Sequence, residues 1–278
     1  MNHTPGWLRW LTFGVLVCGA VMFTAPMAIM VLMSLKTPAE IARSTPWALP
    51  EHATLANYAF VLSDPVIGFY QKFLNTLVLT IIPTIGTVLT CALSAYPFAR
   101  IRFPSRDRLF MLLLSTMMLP GAVTLIPSYM MFAKLGWIDT FYPFIIPAFL
   151  GGGAFNIFLV RQFMLGIPNE MDEAATIDGA TRARIFWQII LPNCKPVLAT
   201  VAVFSVVGHS RDFLGPSLLL NSPEKQTIEV GLRSLQNAHT TDWHYLMAGS
   251  VVVLIPILIL FVAAQRFFVQ GISLTGGK

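Results

Sequence analysis

The chain has 278 residues, of which 55% are hydrophobic and only 11% charged, with a formal net charge of +5. Soluble domains carry about a quarter charged residues, so a water-soluble enzyme or binding domain is excluded: there is too little charge to cover its surface. The positive balance does not point to nucleic acid either, because the basic residues stand in short clusters between apolar runs.

The apolar runs form six segments of membrane-crossing length, since about 20 residues traverse the hydrocarbon core. In chain order they cover about 11–34, 73–96, 109–130, 141–161, 197–218 and 245–267. The first follows Arg9 and continues to Ser34. That is longer than the apolar region of a secretory leader and has a poor cleavage pattern, so it reads as a retained span. Pro26 lies in the first span, Pro83 and Gly86 in the second, Pro120 in the third, Pro143 and Pro147 in the fourth, and Pro256 in the sixth. Membrane helices tolerate such residues because neighbouring groups satisfy the freed backbone. Gly151, Gly152 and Gly153 mark either a close helix contact or a flexible point. Cys18, Cys91 and Cys194 are far apart, lack metal-ligand spacing, and read as small packing residues.

Orientation follows from Lys and Arg. With the N-terminus in the cytoplasm, eleven basic residues lie on the inner side and seven on the outer side. The short loop 99–108 is the clearest witness, with Arg100, Arg102, Arg106 and Arg108 against Asp107 alone. Six spans then place both termini inside. Two outer segments are long, about 36–72 and 219–244. The first holds Pro38, Pro46, Pro50 and Pro65 and is expected to be irregular with short helical pieces.

The inner segment from Arg161 to Lys195 carries the most information. Pro168 stops the preceding helix, Asn169 is a suitable N-cap, and Glu170, Asp172 and Glu173 occupy the first turn, where the helix dipole favours acids. Met171, Ala174 and Ala175 give a small, flat apolar face. Gly179 supplies the position past the helix end where a positive φ is easily adopted. Thr181 caps a second helix with Ile185, Phe186, Ile189 and Ile190 on its apolar face, and Pro192 is expected to end it. A helix, a sharp turn and a second helix held outside the lipid suit either docking into another protein's groove or an ordinary interfacial loop.

Glu173, Ala174, Ala175, Gly179, Ile189, Leu191 and Pro192 together resemble the gap-free loop motif of permease subunits of ABC import systems, and Ile177-Asp178-Gly179-Ala180 resembles the carbohydrate-uptake branch. The resemblance extends over 73–269, through Asn75-Thr76-Leu77, Ala95 to Arg100, Trp243 to Met247, Pro256 and Gln265-Arg266. It implies an all-α membrane protein of the type I ABC importer class, with six transmembrane helices and a cytoplasmic coupling helix. The divisions expected are 1–72 (first span and external segment), 73–269 (importer transmembrane domain, coupling loop about 161–195) and a cytoplasmic tail 270–278. The resemblance also implies that Glu173 contacts a cytoplasmic ATPase, that Ala174 and Ala175 lie against it, and that Gly179 permits the turn, with Asp178, Ile189, Leu191 and Pro192 completing the motif. The Gly-Gly-Lys end is similar to a family tail that approaches the ATPase dimer.

The partners implied are a second homologous permease, an ATPase dimer, an extracytoplasmic solute-binding protein and the lipid bilayer of a bacterial or archaeal inner membrane. The chain has no phosphate-cradling G-x-x-x-x-G-K-[ST] loop, so ATP and Mg belong to the partner ATPase and no cofactor is expected here. The 219–244 segment, with Asn221, Glu224, Lys225 and Gln226, reads as a contact for the binding protein or as a solvated loop.

Polar residues within spans are exceptional and mark candidate routes. The fifth span ends in His209, Ser210, Arg211 and Asp212. The family commonly has Trp-Asn-Asp-Phe-Leu there; Asp212, Phe213, Leu214 and Pro216 agree, whereas Ser210 and Arg211 depart. Arg211 reads either as a contact for a hydroxyl or anionic solute or as half of a structural Arg211–Asp212 pair. The departure favours a phosphorylated or acidic solute over a plain neutral sugar. Asn75 and Asn156 are further candidates for the route or for helix bridging. One isolated polar cluster without a second His or Cys argues against an intramembrane enzyme, and no inverted repeat points to a secondary transporter.

Overall fold

The computed structural model describes residues 6–64, 68–233, 235–236 and 242–273, and the described residues are predominantly helical. The tail 274–278, including Gly276-Gly277-Lys278, and Pro65 lie outside them. In chain order the helices are α1 (Gly6–Ser34), α2 (Pro38–Arg43), α3 (Ala56–Ser63), α4 (Phe69–Arg100), α5 (Arg106–Ser115), α6 (Gly121–Lys134), α7 (Tyr142–Ile145), α8 (Ala148–Gly151) and α9 (Ala154–Leu165). They continue with α10 (Glu170–Ile177), α11 (Arg182–Ile185), α12 (Leu191–Asn193), α13 (Lys195–Ser210), α14 (Leu214–Leu219), α15 (Ile228–Arg233) and α16 (Trp243–Ser273).

Three stretches are long and apolar enough to span a membrane, Trp7–Ser34, Phe69–Arg100 and Tyr142–Leu165, and two bent helix pairs raise the number to five. The third expected span is one of those pairs: Arg106–Met118 and Gly121–Lys134 meet at 97°. Leu119 takes an extended conformation (φ −78°, ψ 116°) just before Pro120, which is the conformation a proline imposes on its predecessor. The fifth expected span is shorter than its hydropathy suggests. α13 ends at Ser210, and residues up to 219 belong to the separate α14, because Arg211 and Asp212 cannot continue an apolar helix and Asp212 starts the next one. In α16 the described apolar stretch is Trp243–Pro256.

The chain divides into two compact units. One comprises Met1–Tyr70 with Gly231–Pro256, the other Gln71–Val230 with Ile257–Lys278. In the first, α3 packs through Phe60, whose ring stacks on Tyr245 at 4.0 Å, and Asn57 donates to the Ser34 and Lys36 carbonyls at 2.7 and 2.9 Å. The outer segment after α1 is irregular with short helices: Lys36, buried, donates to Ser44 Oγ (3.0 Å) and the Thr45 carbonyl (2.9 Å).

The second unit holds the main core, built from Cys91, Ala95, Val160, Met164, Ile190 and Val201. Small residues on α4 let the fourth segment approach closely. Thr90 Oγ1 donates to the Ala148 carbonyl at 3.0 Å, and Gly152, with φ +65°, lies where a Cβ would stand 2.6 Å from the Cys91 backbone nitrogen. Of the two readings of the glycine triplet, Gly152 fits the close contact. The break between α8 and α9 follows from positive φ at both Gly152 and Gly153.

Candidate functional site

Three features of the second unit bear on function: an elbow at α10–α12, a cavity between α4 and α13, and a stapled loop at 219–228.

The elbow closes as expected at Gly179. Its φ is +79°, its N–H donates to the Thr176 carbonyl at 3.0 Å, and the Ala180 N–H donates to the Ala175 carbonyl at 2.9 Å. That pair of bonds satisfies the carbonyls a helix end leaves open. Thr181 then caps the second limb through a bond from the Arg184 N–H at 3.3 Å. Pro192 does not end that limb. The preceding turn, Phe186–Ile190, is a π-helix wide enough to accommodate the proline ring, and the limb runs to Asn193 before α13 departs at 74°.

The faces of the elbow differ from the sequence expectation. Ala175 is buried in the chain's own core, so it does not lie on an outer docking face beside Ala174. The reason is Asp172, one turn earlier on the same face, which is drawn inward toward Arg100 at 3.8 Å. Glu170, Glu173, Ala174 and Asp178 are exposed, and so is Ile177, 86% exposed and absent from the expected set. Ile189 and Leu191 pack against the core, while Pro192 is exposed. Asn169 does not cap α10 with its side chain; its Oδ1 instead accepts from Arg100 Nη1. Tyr96 of α4 donates to the Arg182 carbonyl at 3.3 Å, tying down the second limb.

The cavity measures about 460 Å³ and is lined by Thr87, Asn156, Ser205 and His209 among the rings of Phe144, Phe155 and Phe204. It brings together two of the five expected route residues, Asn156 and His209. Asn156 also donates to the Gly152 carbonyl at 2.9 Å, satisfying a group freed by the helix break. Thr80 and Thr84, farther along α4, carry buried hydroxyls without a partner among the described residues. Periodicity alone does not separate such threonines from ordinary helix packing.

The other three expected residues lie elsewhere. Asn75 donates to the Glu224 and Gln226 carbonyls at 2.7 and 3.0 Å, so it holds the loop after α14. Asp212 accepts from the Gly215 N–H at 3.1 Å and caps α14. Among the described residues no ion pair joins it to Arg211. Arg211 is exposed at the end of α13, and its charge acts on Glu229, whose carboxyl is pushed up by burial and drawn back by the guanidinium.

The same loop is stapled from its other side by Asp139, a residue sequence reasoning passed over. Asp139 takes φ +59°, and its carboxylate accepts from the Asn221 and Ser222 N–H groups (both 2.9 Å), Ser222 Oγ (2.5 Å) and Lys225 Nζ (3.0 Å). Bonds from the Ser222 hydroxyl and amide, then from Lys225, hold this carboxyl well below the usual carboxylate range. A depressed folded-state pKa gives stabilisation that is complete above the unfolded value near 4 and disappears as pH falls through the folded one. Amide exchange at Asn221 and Ser222, corrected for its intrinsic pH dependence, is therefore expected to stay flat from about pH 7 to pH 4 and to rise only below it. In Asp139→Asn it is expected to be fast throughout.

Residues 87–274 match the family described as the binding-protein-dependent transport system inner membrane component. The chain is 30% identical to the arabinooligosaccharides transport system permease protein AraQ of Halalkalibacterium halodurans, over 98% of this chain and 96% of that one. It is 32% identical to the sn-glycerol-3-phosphate transport system permease protein UgpE of Rhizobium meliloti, over 92% and 93%. Its fold is that of a chain in the crystal structure of a bacterial ABC transporter involved in the import of the acidic polysaccharide alginate (TM-score 0.84, 23% identity, 96% of this chain and all of that one). Membership implies an ATPase and a binding protein as partners. The chain belongs to the family of binding-protein-dependent ABC transporter permeases, the non-catalytic, multi-pass inner-membrane subunits of importers.

Proposed function

We infer that this chain forms, with a second homologous permease, the path by which an ATP-driven importer moves a carbohydrate or a sugar or glycerol phosphate. The observation that carries the reading is the cavity in the second unit, where three aromatic rings stand beside the polar side chains of Thr87, Asn156, Ser205 and His209. A sugar ring presents apolar C–H faces and a girdle of hydroxyls, and a site for it needs both surfaces. The relatives named for arabinooligosaccharides and for glycerol 3-phosphate support that solute class.

Six spans, with α16 as the last, put both termini in the cytoplasm and agree with the distribution of Lys and Arg. The elbow then faces the cytoplasm, where an ATPase dimer holding ATP and Mg would seat on it through Glu173, Ala174 and Ile177. The stapled 219–228 loop faces the binding protein. Arg211, exposed and charged, favours an anionic solute.

Uptake by the complete importer tests the reading with a panel of arabinooligosaccharide, glycerol phosphate and an acidic oligosaccharide. Asn156→Ala is expected to lower uptake of the preferred solute about tenfold, the scale of one lost hydrogen bond in a dry site. Arg211→Asn is expected to shift preference toward the neutral member. Unchanged uptake of every solute in both variants would remove the cavity and Arg211 from the route.

A further inference from the structure

Arg100 is the last residue of α4, and its side chain is only 3% exposed. Nη2 donates to the Met164 and Ile167 carbonyls at 2.8 and 2.7 Å, which are the carbonyls left open where α9 ends. Nη1 donates to the Asn169 carboxamide at the start of α10. One guanidinium therefore binds the end of α9, the connection and the entrance to α10 to the end of a 32-residue helix. A lysine, with one compact charge on a flexible stem, cannot reproduce that fan of contacts.

The fourth contact is unfinished. Nε stands 3.8 Å from Asp172 Oδ2, beyond hydrogen-bond range, and both Nε and Asp172 Oδ1 are buried without a hydrogen-bond partner. Buried charged groups left in this way are unfavourable. A movement of α10 toward α4 by about 1 Å would bring the pair to bonding distance.

We propose that Arg100 is the positioning residue through which displacement of α10 reaches α4, with the Arg100–Asp172 contact closing when the elbow is pressed inward. The arrangement has two discrete states, open at 3.8 Å and closed, and packed interfaces convert shifts of this size into movements of whole elements. The proposal rests on the reading of the elbow as the ATPase contact and assigns the load to one side chain outside that surface.

The test uses the complete importer, purified with its ATPase, partner permease and binding protein, and reads solute transported per ATP hydrolysed. Arg100→Gln and Asp172→Asn are each expected to lower that ratio about tenfold in complexes that still contain the ATPase. Arg100→Lys is expected to fall between Arg100→Gln and the unmodified chain. Asp172→Asn keeps the other three Arg100 contacts, so its effect does not depend on whether Arg100→Gln folds. A ratio equal to that of the unmodified importer in Asp172→Asn would overturn the proposal. So would transport and hydrolysis falling in parallel with the amount of assembled complex, the mark of a merely structural residue. Failure of the ATPase to bind the unmodified chain would instead overturn the elbow reading itself, so the two failures are distinguishable.

Discussion

Replacing Gly152 with alanine is expected to prevent the second unit from packing. Two effects act at this position. At φ +65° an L-residue is disfavoured by about 1–2 kcal/mol, and a Cβ would stand 2.6 Å from the Cys91 amide nitrogen. Backbone cannot swing aside as a side chain can, so α4 and the α8–α9 segment must separate, which costs about 1–3 kcal/mol more. The sum is comparable to a large part of a domain's stability, about 5–15 kcal/mol. Gly86→Ala is the informative comparison. Its Cβ would meet the Phe149 ring at 2.7 Å, a side chain able to rotate, in an ordinary helical backbone. Gly121→Ala, with nothing within 4 Å, serves as the neutral reference. Thermal unfolding in detergent is expected to rank them Gly152→Ala least stable, then Gly86→Ala, then Gly121→Ala. Equal midpoints for the first and last would show that the close approach at Cys91 does not hold the unit together.

The turn of the elbow is legible in its residues because glycine and threonine carry their conformational roles in their own chemistry. Gly179 accepts a positive φ, and the Thr181 hydroxyl accepts the Arg184 N–H. The apolar runs are legible for the same local reason. The inward turn of Ala175 is not, because it depends on Arg100, 75 positions earlier in the chain, drawing Asp172 and its face toward α4. Nor do the breaks at Leu119 and Cys194 show in hydropathy, which counts apolar residues without regard to direction. Pro120 marks the first of them, yet the prolines in the middle of α1 and α4 leave those helices continuous, so proline alone does not identify a break.

The same division runs through the solute path. Asn156 and His209 stand out as polar residues in apolar spans, and both line the cavity. Asn75 and Asp212 stand out equally, but their side chains hold backbone groups of the outer loop and of α14. Polarity marks a position as unusual; only its hydrogen-bond partners tell a lining residue from a structural one. Asp139 illustrates the converse. It sits in an ordinary polar turn, and its organising role depends on Ser222 and Lys225, which are more than 80 residues away.

Glu173→Lys and Gly179→Asp are expected to abolish uptake while leaving the chain inserted in the membrane. Glu173 is exposed, so reversing its charge disturbs no packing in this chain and acts only on what the elbow meets. Gly179→Asp acts through geometry: nothing lies within 4 Å of the added Cβ, but the positive φ of +79° then carries a strain of about 1–2 kcal/mol that tilts one limb against the other. Both positions lie outside the buried core of the second unit, so neither is expected to change the amount of folded protein by more than a small factor.

The most direct measurement is co-isolation of the ATPase with the unmodified chain and with these two variants from membranes containing all subunits of the importer. The account predicts that the ATPase is retained by the unmodified chain and lost, or reduced at least about tenfold, in both variants at equal permease levels. Full retention of the ATPase by Glu173→Lys and Gly179→Asp would contradict it, because the elbow would then not be where the two proteins meet.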